Sequence, residues 1–600
     1  GPGIMVTPKP TDCGGATFEI EAFVKNADEN FTVQYAIYDE EGNEVGYAVR
    51  PADAAKTTVY VPDVQLWDFD NPYLYTVIAQ LQRRNETYDE IDTRVGVRSF
   101  FCDPQKGFHL NGVLTPLRGV SRHQDMVYRG NALTADDHYD DACIIKELGA
   151  NTIRLAHYQH DQYFYDLCDK TGFVLWAEIP FISQFIPSEE AYKNTISQMT
   201  ELVAQNYNHP AICFWGISNE ILIGDDREDL RQNLRDLHEL AKSMDPSRLT
   251  TMAQVSMTPM DSEHNYITDV VSYNHYFGWY GGSLAEYGPW FDKFHEKYPD
   301  TPIGISEYGC EALNWHNSNP ESGDYSEEYQ AVYHESLIRQ LFTRKYLWAT
   351  HVWNMFDFGA DARAEGGENG QNHKGLITID RKYKKDAFYA YKAWLNPEPM
   401  VHLCGKRYVD RVEDVTKVTV YSNFPEVELF ANGVSLGKKT AEDHFFYFEV
   451  PNSGETKLEA VAGSLRDESI IRKVEKMNPD YILREQGAVL NWFDITEIEG
   501  RFSLNDKLGD VIKTFRGKLW FAGLFLTLAK KMSQAQPQSK DKKKKKAKTK
   551  NPEMNSGVMN MIGGFTVLRF TGMLGMRNVT FTKEELLKMN AKLNKIKKPK

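Results

Sequence analysis

At 600 residues the chain exceeds what one hydrophobic core can organise, so several domains are expected. Its 84 acidic against 69 basic side chains give a net charge of −15, which excludes nucleic acid as the main partner. The longest apolar stretch, residues 519–529, is too short to span a bilayer, so no membrane partner is expected.

Residues 1–102 read as short β-strands. Thr17-Phe18-Glu19-Ile20-Glu21-Ala22-Phe23-Val24 and Thr57-Thr58-Val59-Tyr60-Val61 alternate polar and apolar, and turn clusters such as Glu41-Gly42-Asn43 separate them. That spacing predicts an immunoglobulin-like β-sandwich.

Over 103–398 short apolar runs alternate with helical patterns. The runs include Thr152-Ile153-Arg154-Leu155, Phe173-Val174-Leu175-Trp176, Ile212-Cys213-Phe214-Trp215, Val270-Val271-Ser272-Tyr273, Pro302-Ile303-Gly304-Ile305 and Trp348-Ala349-Thr350-His351-Val352-Trp353. Helices are expected over 134–148, 188–207 and 226–244. Repeated β-α units over roughly 300 residues predict a (β/α)8 TIM barrel. An open doubly wound sheet is disfavoured, because no Gly-rich phosphate turn follows the first strands.

Residues 399–474 return to alternation. Asn432-Gly433 between two such runs predicts a hairpin within a second immunoglobulin-like sandwich. Residues 475–600 read as a partly helical extension, with helices over 502–515 and 583–595. Residues 531–600 carry 18 Lys/Arg against 4 Asp/Glu, so the rest of the chain is strongly acidic. The run Lys542 to Lys546 predicts a disordered loop near 539–550. The seven cysteines form no C-x-x-C pair, and Gly1-Pro2-Gly3-Ile4-Met5 begins no signal peptide. Reduced thiols and a cytoplasmic location are expected.

In such a barrel the chemistry lies at the C-terminal strand ends. Two apolar runs end there in a carboxylate, Ile217-Ser218-Asn219-Glu220 and Ser306-Glu307-Tyr308-Gly309. Two carboxyls facing each other across a pocket is what glycoside hydrolysis requires. One protonates the leaving oxygen, and the other attacks the anomeric carbon or activates water. A retaining enzyme would place them about 5–5.5 Å apart. Like-charge proximity would then raise the pKa of one. Helix capping or pairing with arginine explains such residues equally well at this point.

Asn219-Glu220 and Ser306-Glu307-Tyr308-Gly309 resemble the acid/base and nucleophile motifs of glycoside hydrolase family 2. Arg118-Gly119-Val120-Ser121-Arg122-His123-Gln124-Asp125 resembles that family's first barrel strand, and Asn151 to Tyr158 its second. The similarity runs over residues 6–465. Asn274-His275-Tyr276-Phe277-Gly278-Trp279-Tyr280 and Asn372-His373-Lys374 are similar to elements of the family's β-glucuronidases, where the Asn-x-Lys pair binds the sugar carboxylate. The resemblance implies a retaining exo-acting enzyme working by double displacement on terminal β-D-glucuronides. Glu220 would be the acid/base and Glu307 the nucleophile. Asn219, Asn372, Lys374, Tyr276, Tyr280, His123, His157 and Trp353 would bind the substrate. A β-galacturonidase or β-galactosidase is the alternative within the family. An inactive scaffold binding flavin or a protein partner is the alternative outside it.

The family's N-terminal jelly roll has no counterpart here, so a truncated N-terminus is expected. The extension 475–600 carries Trp492, Phe493, Trp520, Phe521, Met559, Met561, Met573 and Met576 among basic groups. It resembles extensions of gut-bacterial β-glucuronidases that bind FMN away from the active site. A helical oligomerisation or packing module is the other reading. Hydrolysis itself needs only carboxylates: no metal and no catalytic cofactor is expected, and a homo-oligomer is.

Overall fold

In the first unit, alternating side chains build two antiparallel sheets. Lys56–Val61 buries every second residue, and Ala16–Ala22 buries Ala16, Phe18 and Ile20. The computed structural model describes residues 3–320, 324–360, 368, 370–482, 495–535, 566–574 and 581–599. One sheet joins Ile4–Pro10, Ala16–Ala22 and Lys56–Val61. The other runs Glu44–Pro51, Thr32–Tyr38, Tyr75–Arg83 and Glu86–Val95. Phe18, Ile20, Val33, Tyr35 and Val77 fill the space between them. This sandwich is pinned to the next unit by Trp67 Nε1, which donates to the Asp169 carbonyl at 2.8 Å, and by Arg98, which donates to the Ile212 carbonyl at 2.8 Å.

Eight parallel strands then close on themselves: Leu117–Arg122, Thr152–Leu155, Val174–Glu178, Ile212–Asn219, Leu249–Val255, Val271–Asn274, Ile303–Tyr308 and Ala349–Val352. The last strand pairs with the first, Leu117 opposite Ala349. Nearly every residue of these strands is buried, as helices outside and side chains inside require. The helices start and stop on local signals. Thr134 and Asp137 form a capping box on Ala135–Leu148, and left-handed Gly149 ends that helix. Asp161, Ser188 and Ser326 cap Gln162–Thr171, Glu189–Asn206 and Glu327–Leu341.

The second sandwich has a three-stranded and a five-stranded sheet around Val418, Val427, Phe446 and Leu458. Asn432 and Gly433, at φ +51° and +79°, make the expected two-residue turn between Glu426–Ala431 and Val434–Thr440. A separate helical core follows, built from Phe502, Leu504, Leu508, Val511, Leu524, Leu586 and Leu593. The helix expected over 502–515 divides into Leu508–Lys513 and the start of Phe515–Ala535. Ser503 and Asp506 hydrogen-bond to nearby backbone instead, which competes with helix. Lys583–Leu593 forms where expected, with Thr582 and Glu585 as its capping box.

The basic run 539–550 lies outside the described residues, as do Trp492, Phe493, Met559, Met561, Met576 and the side chain of Met573. Among the described residues no helix is long and apolar enough to cross a membrane. The seven cysteines, all among the described residues, form no disulfide.

Candidate active site

The strand ends that carry the two glutamates are irregular. Pairing registers shift between Gly216 and Asn219, between Tyr273 and Asn274, and between Ile305 and Tyr308. Such bulges re-aim side chains at a barrel rim. Glu220 follows directly after its strand with φ +48°, a left-handed conformation that costs a non-glycine residue about 1 kcal/mol. Two glycines bring the rim loops together. A Cβ on Gly309 would lie 2.1 Å from the Trp353 carbonyl oxygen, and one on Gly375 would lie 2.0 Å from the Asp357 nitrogen.

Arg154, fully buried in the second strand, organises one side of the site. It donates to both oxygens of Glu178 (3.0 and 3.1 Å), to Glu307 Oε1 (2.7 Å), to Asn219 Oδ1 (2.8 Å) and to the Ser306 carbonyl (3.2 Å). Burial alone would lower the guanidinium pKa, but Glu178 and Glu307 outweigh it and hold it above its ordinary value. Burial likewise pushes the Glu178 carboxyl up, yet Arg154 and His157 bring it below its ordinary value. His157 Nδ1 donates to Glu178 Oε1 at 2.6 Å, and its Nε2 lies 3.8 Å from Glu307 Oε1.

Asn274 organises the other side. Its amide nitrogen donates to Asn219 Oδ1 and Glu220 Oε1, both at 3.1 Å, and its oxygen accepts from Ser306 at 2.7 Å. Tyr276 donates to Glu307 Oε2 at 2.7 Å. Burial, then the charges of Glu307 and Glu220, hold this phenol well above its ordinary pKa, so it stays a donor. Residues alternate along the sixth-strand motif. Asn274 and Tyr276 meet the carboxylates, while His275 packs on Trp290 and Phe277, where burial pushes its pKa down to about 3.

His123 and Trp353 form an aromatic wall with Phe358. His157 stacks on Trp353 at 4.8 Å, and His123 on Phe358 at 4.1 Å. Burial and the neighbouring His157 keep His123 well below its ordinary pKa, and so neutral.

Lys374 and Asn372 lie next to this wall and are buried. The Lys374 ammonium donates to the Tyr280 hydroxyl at 2.8 Å and to Glu311 Oε1 at 3.3 Å, and it sits 5.6 Å from the ring centre of Tyr276. A single tyrosine therefore separates it from Glu307. Asn372 Oδ1 accepts from the Lys374 backbone at 3.0 Å, while its amide nitrogen is buried without a hydrogen-bond partner among the described residues.

The structure brings Glu220, Glu307, Asn219, Tyr276, Tyr280, His123, His157, Trp353, Asn372 and Lys374 together at this end of the barrel. Reasoning from strand tips missed Arg154, Glu178, Asn274, Ser306, Glu311 and Phe358. Arg154 and Glu178 did leave a signal: each is a charge inside or ending an apolar strand run, a position tolerated only when paired. Among the described residues two His/Cys/Asp groups lie away from the rim, Asp386–His402–Cys404 and Asp166–Asp169–His209. In each the histidine already bonds an aspartate, at 2.9 and 2.6 Å.

Family models for "Glycosyl hydrolases family 2" and its TIM barrel domain match residues 3–98 and 104–397. The chain belongs to glycosyl hydrolase family 2. A domain of unknown function, DUF4982, matches residues 413–465 within the second sandwich. A β-glucuronidase of Bacteroides fragilis is 41% identical over 396 residues, which is 63% of this chain and 56% of that protein. A putative β-glucuronidase of Formosa agariphila is 31% identical over 72% of this chain and 56% of its own length. The chain thus spans a little over half the length of these curated relatives. Among solved structures, an FMN-binding β-glucuronidase from Facaelibacterium prausnitzii L2-6 is 56% identical with a TM-score of 0.79, covering 80% of this chain and 75% of that one. A putative β-galactosidase from Bacteroides fragilis is 33% identical with a TM-score of 0.75, covering 79% and 73%.

Proposed function

We propose that the chain is a retaining β-glucuronidase acting on terminal β-D-glucuronides. The observation that carries this reading is the buried Lys374 ammonium beside an unpartnered Asn372 amide, one tyrosine away from Glu307. With the anomeric carbon at Glu307, a sugar carboxylate at Lys374 and Asn372 would gain charge-assisted hydrogen bonds. A neutral sugar would leave those donors without an anion.

Glu307 attacks the anomeric carbon while Glu220 gives its proton to the departing oxygen. Glu220 then takes a proton from water, which releases the sugar from Glu307 with retained configuration. Asn219 keeps its oxygen on Arg154 and Asn274, which leaves its amide NH2 to donate to the 2-hydroxyl. His123, His157 and Trp353 wall the sugar. Asn372 and Lys374 suit a galacturonide too, so a panel of aryl glucuronide, galacturonide, galactoside and mannoside decides the substrate class.

Lys374→Ala is expected to raise KM for an aryl glucuronide about ten- to a hundredfold, the worth of one or two lost hydrogen bonds to a charged group. Because that variant removes a charged partner of the buried Glu311, Lys374→Met with Glu311→Gln should show the same KM effect in a well-folded protein. An unchanged KM in both would overturn the substrate assignment.

A second reading concerns the C-terminal module. Its helix Phe515–Ala535 exposes Phe515, Leu519 and Leu526 along one face beside Arg516 and Lys518. Those residue types suit a flavin ring and a phosphate, and an FMN-binding relative exists. FMN bound there would take no part in hydrolysis. The purified protein is expected to be yellow, or to quench FMN fluorescence on titration; a colourless protein that does neither excludes it. An odd number of cysteines with no C-x-x-C pair accords with a cytoplasmic location.

A further inference from the structure

Among the described residues, one side chain of the candidate pocket, Tyr280, meets the C-terminal module. Tyr280 packs against the module's core of Leu504, Leu508, Val567 and their neighbours. The same tyrosine accepts the hydrogen bond from Lys374, whose ammonium also lies 4.8 Å from its ring centre. Its ring meets that of Tyr276 edge-on at 5.2 Å, and Tyr276 holds Glu307.

The segment carrying Tyr280 is a tight loop. Gly278 donates to the Gly281 carbonyl, and Trp279 and Tyr280 both donate to that of Tyr276. Tyr329 clamps the Gly278 carbonyl at 2.6 Å. The module touches the segment just beyond as well, with Lys507 3.9 Å from Glu286. Ser283 and Glu286 form the box that caps the next turn.

A lysine ammonium on a four-carbon stem is a point charge placed by its partners. Here two of those partners are Glu311, from the barrel rim, and Tyr280, backed by the module. We propose that the C-terminal module is a specificity element of the carboxylate subsite: by backing Tyr280 it sets the position of the Lys374 ammonium, and with it the preference for a uronate over a neutral sugar. This rests on the reading of Lys374 as the group that binds the sugar carboxylate. Tyr280 is a positioning residue in this role.

The test uses the full chain and two substrates with one leaving group, an aryl β-D-glucuronide and the matching aryl β-D-glucoside. Tyr280→Phe keeps the ring against the module and removes the acceptor. The ratio of kcat/KM between the two substrates is expected to fall about tenfold, through KM for the glucuronide. Leu508→Ala opens a cavity in the module's core, and Lys507→Glu sets a like charge against Glu286 on the surface. Each is expected to lower the same ratio several-fold while kcat on the glucoside stays at the wild-type value. If both module-side variants keep the wild-type ratio, the module does not act on the subsite. Equal losses on both substrates, carried by kcat, also refute it, since they report general destabilisation. A wild-type protein without preference for the glucuronide removes the functional reading itself, and this inference with it.

Discussion

Glu307→Ala is expected to abolish turnover of an aryl β-D-glucuronide, with kcat reduced at least ~10⁴-fold, the scale on which loss of a covalent nucleophile acts. The variant removes the acceptor of two placed donors, Arg154 at 2.7 Å and Tyr276 at 2.7 Å. What remains is a small void lined by a guanidinium and a phenol, which favours an anion. Added azide or formate is therefore expected to bind there and attack the anomeric carbon directly. A single displacement inverts the centre, so the azide product should be the α-glycosyl azide. Glu220→Ala should differ in a diagnostic way. Its loss removes the proton donor, so the defect in kcat/KM should be large for poor leaving groups and small for acidic phenols, which leave without protonation, while kcat falls for both because the attacking water loses its base. Full activity in either variant, or inversion of a natural glucuronide by the wild-type protein, would overturn the assignment of roles.

The two glutamates were legible because the barrel was. Parallel strands buried on both faces read as apolar runs, and a carboxylate at the end of such a run has few explanations. The Asn432-Gly433 turn was legible for a similarly local reason, since only two positive φ values close a tight hairpin. Arg84 and Asn85 make a comparable turn between Tyr75–Arg83 and Glu86–Val95, at φ +51° and +66°, without a glycine to announce it. What the sequence hid was placement across the barrel. Arg154 meets Glu307 across 153 positions, and nothing local links them. Tyr280 meets a module whose core begins more than two hundred residues later. The register shifts that aim Asn219, Asn274 and Glu307 arise from pairing between strands, which no single strand records.

Arg154→Met is expected to produce the second-largest effect, and to separate two functions of one side chain. The substitution keeps length and apolar contact with Trp176, over whose ring the guanidinium lies at 4.8 Å. It removes charge-assisted bonds to Glu307 and Asn219, each worth roughly 1.5–3 kcal/mol, so kcat/KM should fall about 10³-fold. It also leaves the buried Glu178 with His157 but without its guanidinium partner, and breaking such a buried pair costs up to about 3–5 kcal/mol of stability. The pH dependence identifies the cause. In the wild type the Glu178 carboxyl sits below its ordinary value, so its stabilisation is present above the unfolded-state pKa and lost as pH falls through the folded one. Without Arg154, His157 is left to oppose burial, so that carboxyl moves up from its wild-type position and its stabilising contribution at neutral pH shrinks. The melting temperature of Arg154→Met should therefore trail the wild type most at neutral pH and recover toward it on acidification. Arg154→Met with Glu178→Gln removes both charges and should regain most of the stability while remaining as slow as the single variant. A double variant that recovers activity along with stability would show that Arg154 only holds the fold. One that recovers stability alone assigns to it the placement of the nucleophile.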